Sequence, residues 1–352
     1  MKTTGLRDAF DAVMAGRSLE AVAAERAFAE ILDGGEEAPD ALVAAFLIAL
    51  RLKGESAGEL IGAARAMRSR ARALELGGNL ENLIDVVGTG GDGAGTFNIS
   101  TGAAIVAAAA GVAVAKHGNR AITGTVGAAD LLEHLGVNID PGPEVLARCV
   151  RDARICFILA PAYHPVMARL APLRRTLATR TIFNLLGPLS NPAHPSRALI
   201  GVGDSKLLRP MAEAIAALGA VHAIVASGRD GLDEISLSAP TMIAEVRADD
   251  GIREYEIAPE DFAIARAGIN SIGAAGAAAS AEMLRAALSG DGGPASDILA
   301  LNAGAAIHVG GGAESIGEGV RIAREVIGSR RALATIDKLV RASGGEPGTN
   351  RR

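Results

Sequence analysis

Residues 88–96 read Gly-Thr-Gly-Gly-Asp-Gly-Ala-Gly-Thr, directly after the short apolar run Ile84-Asp85-Val86-Val87 and just before a helical stretch that opens near Ser100. Five glycines in the eight positions 88–95 let the backbone approach a ligand closely and point several N–H groups the same way. The helix N-terminus beyond adds partial positive charge, so a phosphate is the guest that suits the segment, with a plain tight turn as the alternative. The G-K-[ST] of a P-loop is absent and no G-x-G-x-x-G opens the helix, so neither fingerprint applies.

A strand, a glycine loop and a helix in succession set the pattern for the chain downstream. Residues 112–115, 155–159, 198–202 and 223–225 read as strands, and 100–110, 128–135, 144–152 and 205–218 as helices. This alternation predicts an α/β fold with a central, mostly parallel sheet covered by helices. Residues 242–247 and 254–257, separated by Asp249-Asp250-Gly251, predict a hairpin. Upstream, residues 1–80 read as helix throughout. Ser56 and Glu59 have capping-box spacing. Residues 41–50 are apolar all round, as suits a helix inside a bundle or at a subunit contact. Helices return after Ala275, and residues 344–352 read as a mobile tail.

The chain has 352 residues, enough for about two domains. With 49% hydrophobic residues it has ample material for a core, built from Ala, Val, Leu and Ile. Seven Phe, two Tyr and no Trp argue against a site made of stacked aromatics. Net charge is −5 and no run of five Lys or Arg occurs, so no nucleic-acid footprint is visible. Cys149 and Cys156 fit no metal spacing and read as reduced thiols in a helix–strand unit. Residues 97–115 lack charge, but their Asn, Ser, Thr and Gly content fits a buried helix followed by a buried strand better than a bilayer span. No signal-like apolar core follows the N-terminus. The expectation is a soluble cytoplasmic protein.

Asn98, Ser100 and Thr101 place small polar groups at the helix start, where ordinary N-capping is the plain alternative. Lys116-His117-Gly118-Asn119-Arg120 ends the next strand, and open α/β sheets bind ligands at the carboxyl ends of their strands.

With these segments in view, the chain resembles the anthranilate phosphoribosyltransferase family. Six blocks carry the resemblance, in order: residues 85–93, Phe97-Asn98-Ile99-Ser100-Thr101, Lys116-His117-Gly118-Asn119-Arg120-Ala121, Ala160-Pro161-Ala162-Tyr163-His164-Pro165, residues 180–192, and Asp230-Gly231-Leu232-Asp233-Glu234. The resemblance implies transfer of a phosphoribosyl group from phosphoribosyl pyrophosphate to anthranilate in tryptophan biosynthesis. It implies a small helical domain (1–80, joined by 172–192) and a larger α/β domain (81–171 and 193–343), in a nucleoside phosphorylase-like arrangement. It further implies a homodimer through the helical domain, while the charge and hydropathy read above point to no nucleic-acid or membrane partner.

The residues implied to hold substrate are Gly88, Gly91, Asp92, Thr96, Asn98, Ser100 and Thr101, then Lys116, His117, Gly118, Asn119 and Arg120. Thr123, Gly124, Ala128, Arg174 and Gly187 complete the set. Ser100, Asp233 and Glu234 are the implied Mg²⁺ ligands, an oxygen set that suits this ion beside phosphates. Arg174 offers a planar fork to the anthranilate carboxylate. His117 and Asn119 are placed to orient the amine or relay its proton. Gly187 keeps room for the aromatic ring.

One stretch departs from the family pattern: Thr125 and Val126 stand where a lysine and a serine are usual, and Ala128 where many members carry serine. Two other readings share the architecture, a pyrimidine nucleoside phosphorylase and a non-catalytic nucleic-acid-binding relative. The block at 116–121 and Arg174 disfavour the first; the acidic balance and retained Asp233-Glu234 disfavour the second.

Overall fold

The computed structural model describes residues 5–78, 80–121 and 126–346. Four helices lead: α1 (Leu6–Met14), α2 (Ala21–Asp33), α3 (Asp40–Lys53) and α4 (Ala57–Arg68). The capping box opens α4 as expected. The Ser56 hydroxyl accepts from the Glu59 N–H, and the Glu59 carboxylate accepts from the Ser56 N–H at 2.8 Å. That carboxylate is wholly buried and also takes the Leu19 N–H at 3.0 Å and the Lys53 ammonium at 3.0 Å, so one cap also ties α4 to the α1–α2 connection. In α3, Val43, Phe46, Leu47 and Leu50 are buried but Leu52 is 82% exposed; the bundle interior accounts for one face only.

The expectation of helix through residue 80 fails after Arg68. Leu74 and Leu76 are buried while Glu75 between them is exposed. Burying alternate residues on one side requires extended chain, and both leucines sit in the core of the α/β region rather than in that of the helices.

Seven strands form one sheet: β1 (Ile84–Gly88), β2 (Val114–Gly118), β3 (Ile155–Leu159), β4 (Arg197–Gly201), β5 (His222–Gly228), β6 (Thr241–Arg247) and β7 (Gly251–Ile257). Their order is β3-β2-β1-β4-β5-β6-β7. The first five are parallel, and β6 and β7 are an antiparallel extension. The helices between and after them are α5 (Ile99–Ala109), α6 (Ala128–His134), α7 (Pro143–Ala153), α8 (Ala160–Tyr163), α9 (Met167–Leu177), α10 (Leu208–Ala217), α11 (Gly276–Ala287), α12 (Pro294–Val309), α13 (Ile316–Gly328) and α14 (Arg331–Ser343). The uncharged stretch at 97–115 is the buried α5 followed by the start of β2. No helix among the described residues is long and apolar enough to cross a membrane.

The sheet separates two cores, and strand alternation assigns residues to each. Leu199 and Ile224 face the core built with α5, α7 and α11–α14. Ala198, Ile200, Ala223 and Val225 face the core shared by α10 and the N-terminal helices. Leu170, Ile182, Phe183 and Leu186 belong to this second core, with the Phe183 ring edge-on to Phe28 at 5.8 Å. Strand order reverses between β1 and β4, the switch point where open α/β sheets form a ligand crevice.

Candidate active site

Gly88 and Gly201 are register partners at the carboxyl ends of β1 and β4. A Cβ on Gly201 would lie 1.6 Å from the Asp233 carbonyl oxygen, and one on Gly88 would lie 2.5 Å from the Asp233 carboxylate. The two glycines therefore make the space through which the segment 230–236 crosses the switch point. Asn302 on α12 brackets that segment: its Oδ1 accepts the Ile235 N–H and its Nδ2 donates to the Ile235 carbonyl, each at 2.9 Å.

The glycine loop is clamped at both ends. The Thr89 N–H donates to the Gly201 carbonyl at 2.9 Å, and Thr96 bridges Gly273. Between them Gly90, Gly91, Gly93 and Gly95 all have φ between 64° and 74°, a region where side chains are strained. The Gly90 N–H donates to Asp233 Oδ2 at 2.5 Å, and Asp92 closes its own turn on the Ala94 N–H at 3.0 Å. Asn98 caps α5 by accepting the Thr101 N–H at 3.1 Å, the plain alternative for that residue. The Thr101 hydroxyl is buried without a partner among the described residues.

Lys116 is buried beneath the loop, donating to the Val86 carbonyl at 2.6 Å and the Ser100 hydroxyl at 3.1 Å. Burial pulls its pKa down against the opposing pull of Asp85, Glu234 and Asp233. Burial, reinforced by their mutual repulsion and by Asp92, pushes Asp233 well above the usual carboxylate range. Glu234 is raised to about 8, chiefly by burial. Two adjacent carboxylates that resist ionisation, with a serine hydroxyl near, form an oxygen donor set suited to a divalent cation.

His117 follows Lys116 and points to the other face of the strand. Its Nδ1–H donates to the Gly187 carbonyl at 3.1 Å, leaving Nε2 buried without a partner among the described residues. Burial, then the neighbouring His164, holds the ring neutral, its pKa about 3. The His164 ring lies 5.3 Å away and is itself buried. Beneath them Asp85, raised to about 6 by burial, accepts the His117 N–H at 3.1 Å and the Asn191 side chain at 2.9 Å. A Cβ on Gly187 would meet nothing within 4 Å. Arg174 on α9 is half-buried over the Phe183 ring at 6.0 Å and has no carboxylate partner among the described residues.

Of the remaining expected residues, Gly118 abuts Phe157 and Ala128, where a side chain would collide. Asn119 turns its Oδ1 to the Arg120 N–H at 2.8 Å. Arg120 is exposed and engaged by Asp130 and Glu133 on α6. Thr123, Gly124 and Thr125 lie outside the described residues. Sequence reasoning missed Asp85, His164, Asn191, Gly201 and Asn302 as parts of the site. Of these, Asp85, His164 and Asn191 lie inside the quoted blocks at 85–93, 160–165 and 180–192, whereas Gly201 and Asn302 carried no signal beyond position.

The crevice has an anion-and-cation half and a neutral imidazole half. Residues 7–71 match the helical bundle domain of a glycosyl transferase family and residues 80–333 its a/b domain. An anthranilate phosphoribosyltransferase of Rubrobacter xylanophilus is 48% identical over 342 residues, covering 96% of this chain and 97% of the relative. The crystal structure of the Thermus thermophilus enzyme superposes with a TM-score of 0.87 at 40% identity, covering 96% of this chain and 99% of that one. The Saccharomyces cerevisiae enzyme in complex with PRPP and Mg gives 0.85 at 28% identity, covering 96% and 98%. With near-complete coverage at that level of identity and a crevice divided in this way, the chain belongs to the anthranilate phosphoribosyltransferase family.

Proposed function

We propose that the chain transfers the phosphoribosyl group of phosphoribosyl pyrophosphate to the amine of anthranilate, giving phosphoribosylanthranilate and pyrophosphate in tryptophan biosynthesis. One observation carries this reading: Lys116 and His117 are consecutive at the end of β2, so strand alternation sends them to opposite faces. Lys116 faces the glycine loop and the carboxylates, and His117 faces Gly187 and His164. A sugar anomeric carbon held between the two meets its leaving group on one side and its nucleophile on the other.

On the first side, the leaving pyrophosphate is met by the loop N–H groups and Lys116, donors already fixed before reaction. Asp233, Glu234 and Ser100 are the residues that would hold Mg²⁺, which when bound neutralises charge on the departing phosphates. On the second side, anthranilate brings an amine already uncharged at neutral pH, so positioning carries much of the work. His117, neutral and with Nε2 free to accept, suits an amine N–H. Arg174, half-buried and without a carboxylate partner among the described residues, suits the ring carboxylate. Asn119 stands at the junction of the two.

We also infer a division into a helical unit of 1–80 with 172–192 and an α/β unit of 81–171 and 193–343. The shared core of Leu170–Leu189 with the first four helices supports it. Met14, Val22 and Leu52, exposed apolar side chains on α1–α3, support a homodimer contact through the helical unit. The free thiols of Cys149 and Cys156 accord with a cytoplasmic protein. The decisive test follows anthranilate fluorescence on mixing with protein, Mg²⁺ and phosphoribosyl pyrophosphate. Signal loss requiring all three supports the reading, whereas phosphorolysis of thymidine without it would support a nucleoside phosphorylase.

A further inference from the structure

At the opposite end of β5 from the substrate crevice, roughly 20 Å along the strand at 3.3 Å per residue, a second polar cluster is buried between the sheet and α12. His222 opens β5, Glu245 and Arg247 lie on β6, and His308 comes from the last turn of α12. The His222 and His308 rings stand 5.0 Å apart at 89°. Glu245 Oε1 lies 2.8 Å from His222 Nε2 and 3.4 Å from His308 Nε2, and the three ligand atoms are all within 4.8 Å of one another.

The surroundings of each group leave these atoms facing inward. His308 Nδ1 donates to the Ala313 carbonyl at 3.0 Å, which fixes the tautomer and turns the Nε2 lone pair toward the cluster, the arrangement metal-bound histidines adopt. Tyr255 donates to Glu245 Oε2 at 2.9 Å, leaving Oε1 for the centre. The cation now at that centre is the Arg247 guanidinium, with Nη2 at 2.8 Å from Glu245 Oε1 and 3.0 Å from His308 Nε2. Both imidazoles are buried, whereas the Arg247 side chain is 40% exposed. It borders a cavity of about 480 Å³ lined also by Glu245, Tyr255 and His308.

We propose that His222, Glu245 and His308 form a zinc site, for which Arg247 is the placeholder when metal is absent. Bonds of 2.0–2.1 Å in a tetrahedron put ligand atoms about 3.3 Å apart. The His308–Glu245 spacing already meets that figure, and the His222–Glu245 spacing must open by about 0.5 Å. Two imidazoles and one carboxylate select zinc over magnesium. Entry of the ion needs His222 to carry its ring proton on Nδ1 and Arg247 to swing into the cavity, where a water completes the fourth position. The site would pin the β6–β7 extension to α12, and it rests on the fold alone, independent of the transferase reading.

The test uses the full chain, stripped with a chelator and kept in saturating Mg²⁺ to cover the crevice carboxylates. Zn²⁺ binding is measured by elemental analysis after gel filtration, with Co²⁺ substitution reporting a tetrahedral ligand field. The expected result is one zinc per chain, affinity lowered at least 100-fold by His308→Ala or His222→Gln, and no change with Asp233→Asn/Glu234→Gln. Arg247→Gln, at an exposed side chain, should tighten binding about tenfold by removing the competing cation. Unchanged zinc stoichiometry in both histidine variants, or weaker binding in Arg247→Gln, would overturn the site.

Discussion

Two buried carboxylate clusters lie in different parts of the sheet, one where β5 meets the antiparallel β6 and one over the carboxyl ends of β1 and β4, and they handle charge in opposite ways. Around Glu245, burial opposes ionisation, yet the hydrogen bonds from His222 and Tyr255 and the charge of Arg247 hold the group far below the ordinary range. Around Asp233 and Glu234, burial and like charge prevail, and Lys116 answers only part of the deficit. The first cluster carries its own cation on β6; the second is left short of one. A cluster that carries its own cation holds together with or without a metal, whereas one left short of a cation depends on a ligand to complete it.

The largest effect should come from breaking the incomplete cluster. Asp233→Asn combined with Glu234→Gln should lower kcat about 10³-fold in the fluorescence assay, the order expected when electrostatic support of a leaving group is lost. Melting temperature should hold or rise, because a buried repulsion is relieved. A parallel loss of stability and activity would erase the contrast. The completed cluster should respond the other way round. Glu245→Ala, measured in chelator by urea unfolding, should cost about 3 kcal/mol by stranding its partners, with kcat and KM little changed.

Asp85 sharpens the comparison through pH. Its folded pKa of about 6 lies above its ordinary value of 3.8, so its contribution to stability is fully present below pH ~4 and is lost as pH rises through about 6. The difference in unfolding free energy between wild type and Asp85→Asn should therefore slope across this window by up to about 3 kcal/mol and flatten above it. A flat difference throughout would mean that Asn191 and Lys116 satisfy the carboxylate fully. The smallest change adds a cation where the chain lacks one. Thr125→Lys with Val126→Ser should lower KM for phosphoribosyl pyrophosphate roughly tenfold, the worth of one charge-assisted contact, and an unchanged KM would sink that idea.

What could be read from the sequence follows from what periodicity and local chemistry encode. The strand at 155–159 and the capping box at Ser56 were legible because each is decided within a few residues. The end of helix at Arg68 was not, because Leu74 and Leu76 answer to a core assembled from residues far along the chain. The same distance hid Gly201, whose need for a bare Cα arises from Asp233 passing over it. Glycine abundance had a second source invisible to pattern. A Cβ on Gly319 of α13 would fall 2.1 Å from the Gly304 carbonyl of α12, and one on Gly62 of α4 would fall 2.4 Å from the Ala21 carbonyl of α2. Such glycines set how near two helices lie. In the site, the glycine loop is contiguous although Lys116, Asp233 and Glu234 reach it from elsewhere, and the His117–His164–Gly187 half is gathered from three separate segments.

Helix α12 carries Asn302 at one place and His308 six residues later, so it touches the backbone beside Glu234 and the cluster around Glu245 alike. Six residues of helix advance about 9 Å. Inserting a single residue between them would also turn His308 by about 100° and carry it off the sheet while Asn302 stayed in place. Length variation here is thus forbidden by phase as much as by space, and insertions and deletions in chains of this kind should fall outside the interval from Asn302 to His308.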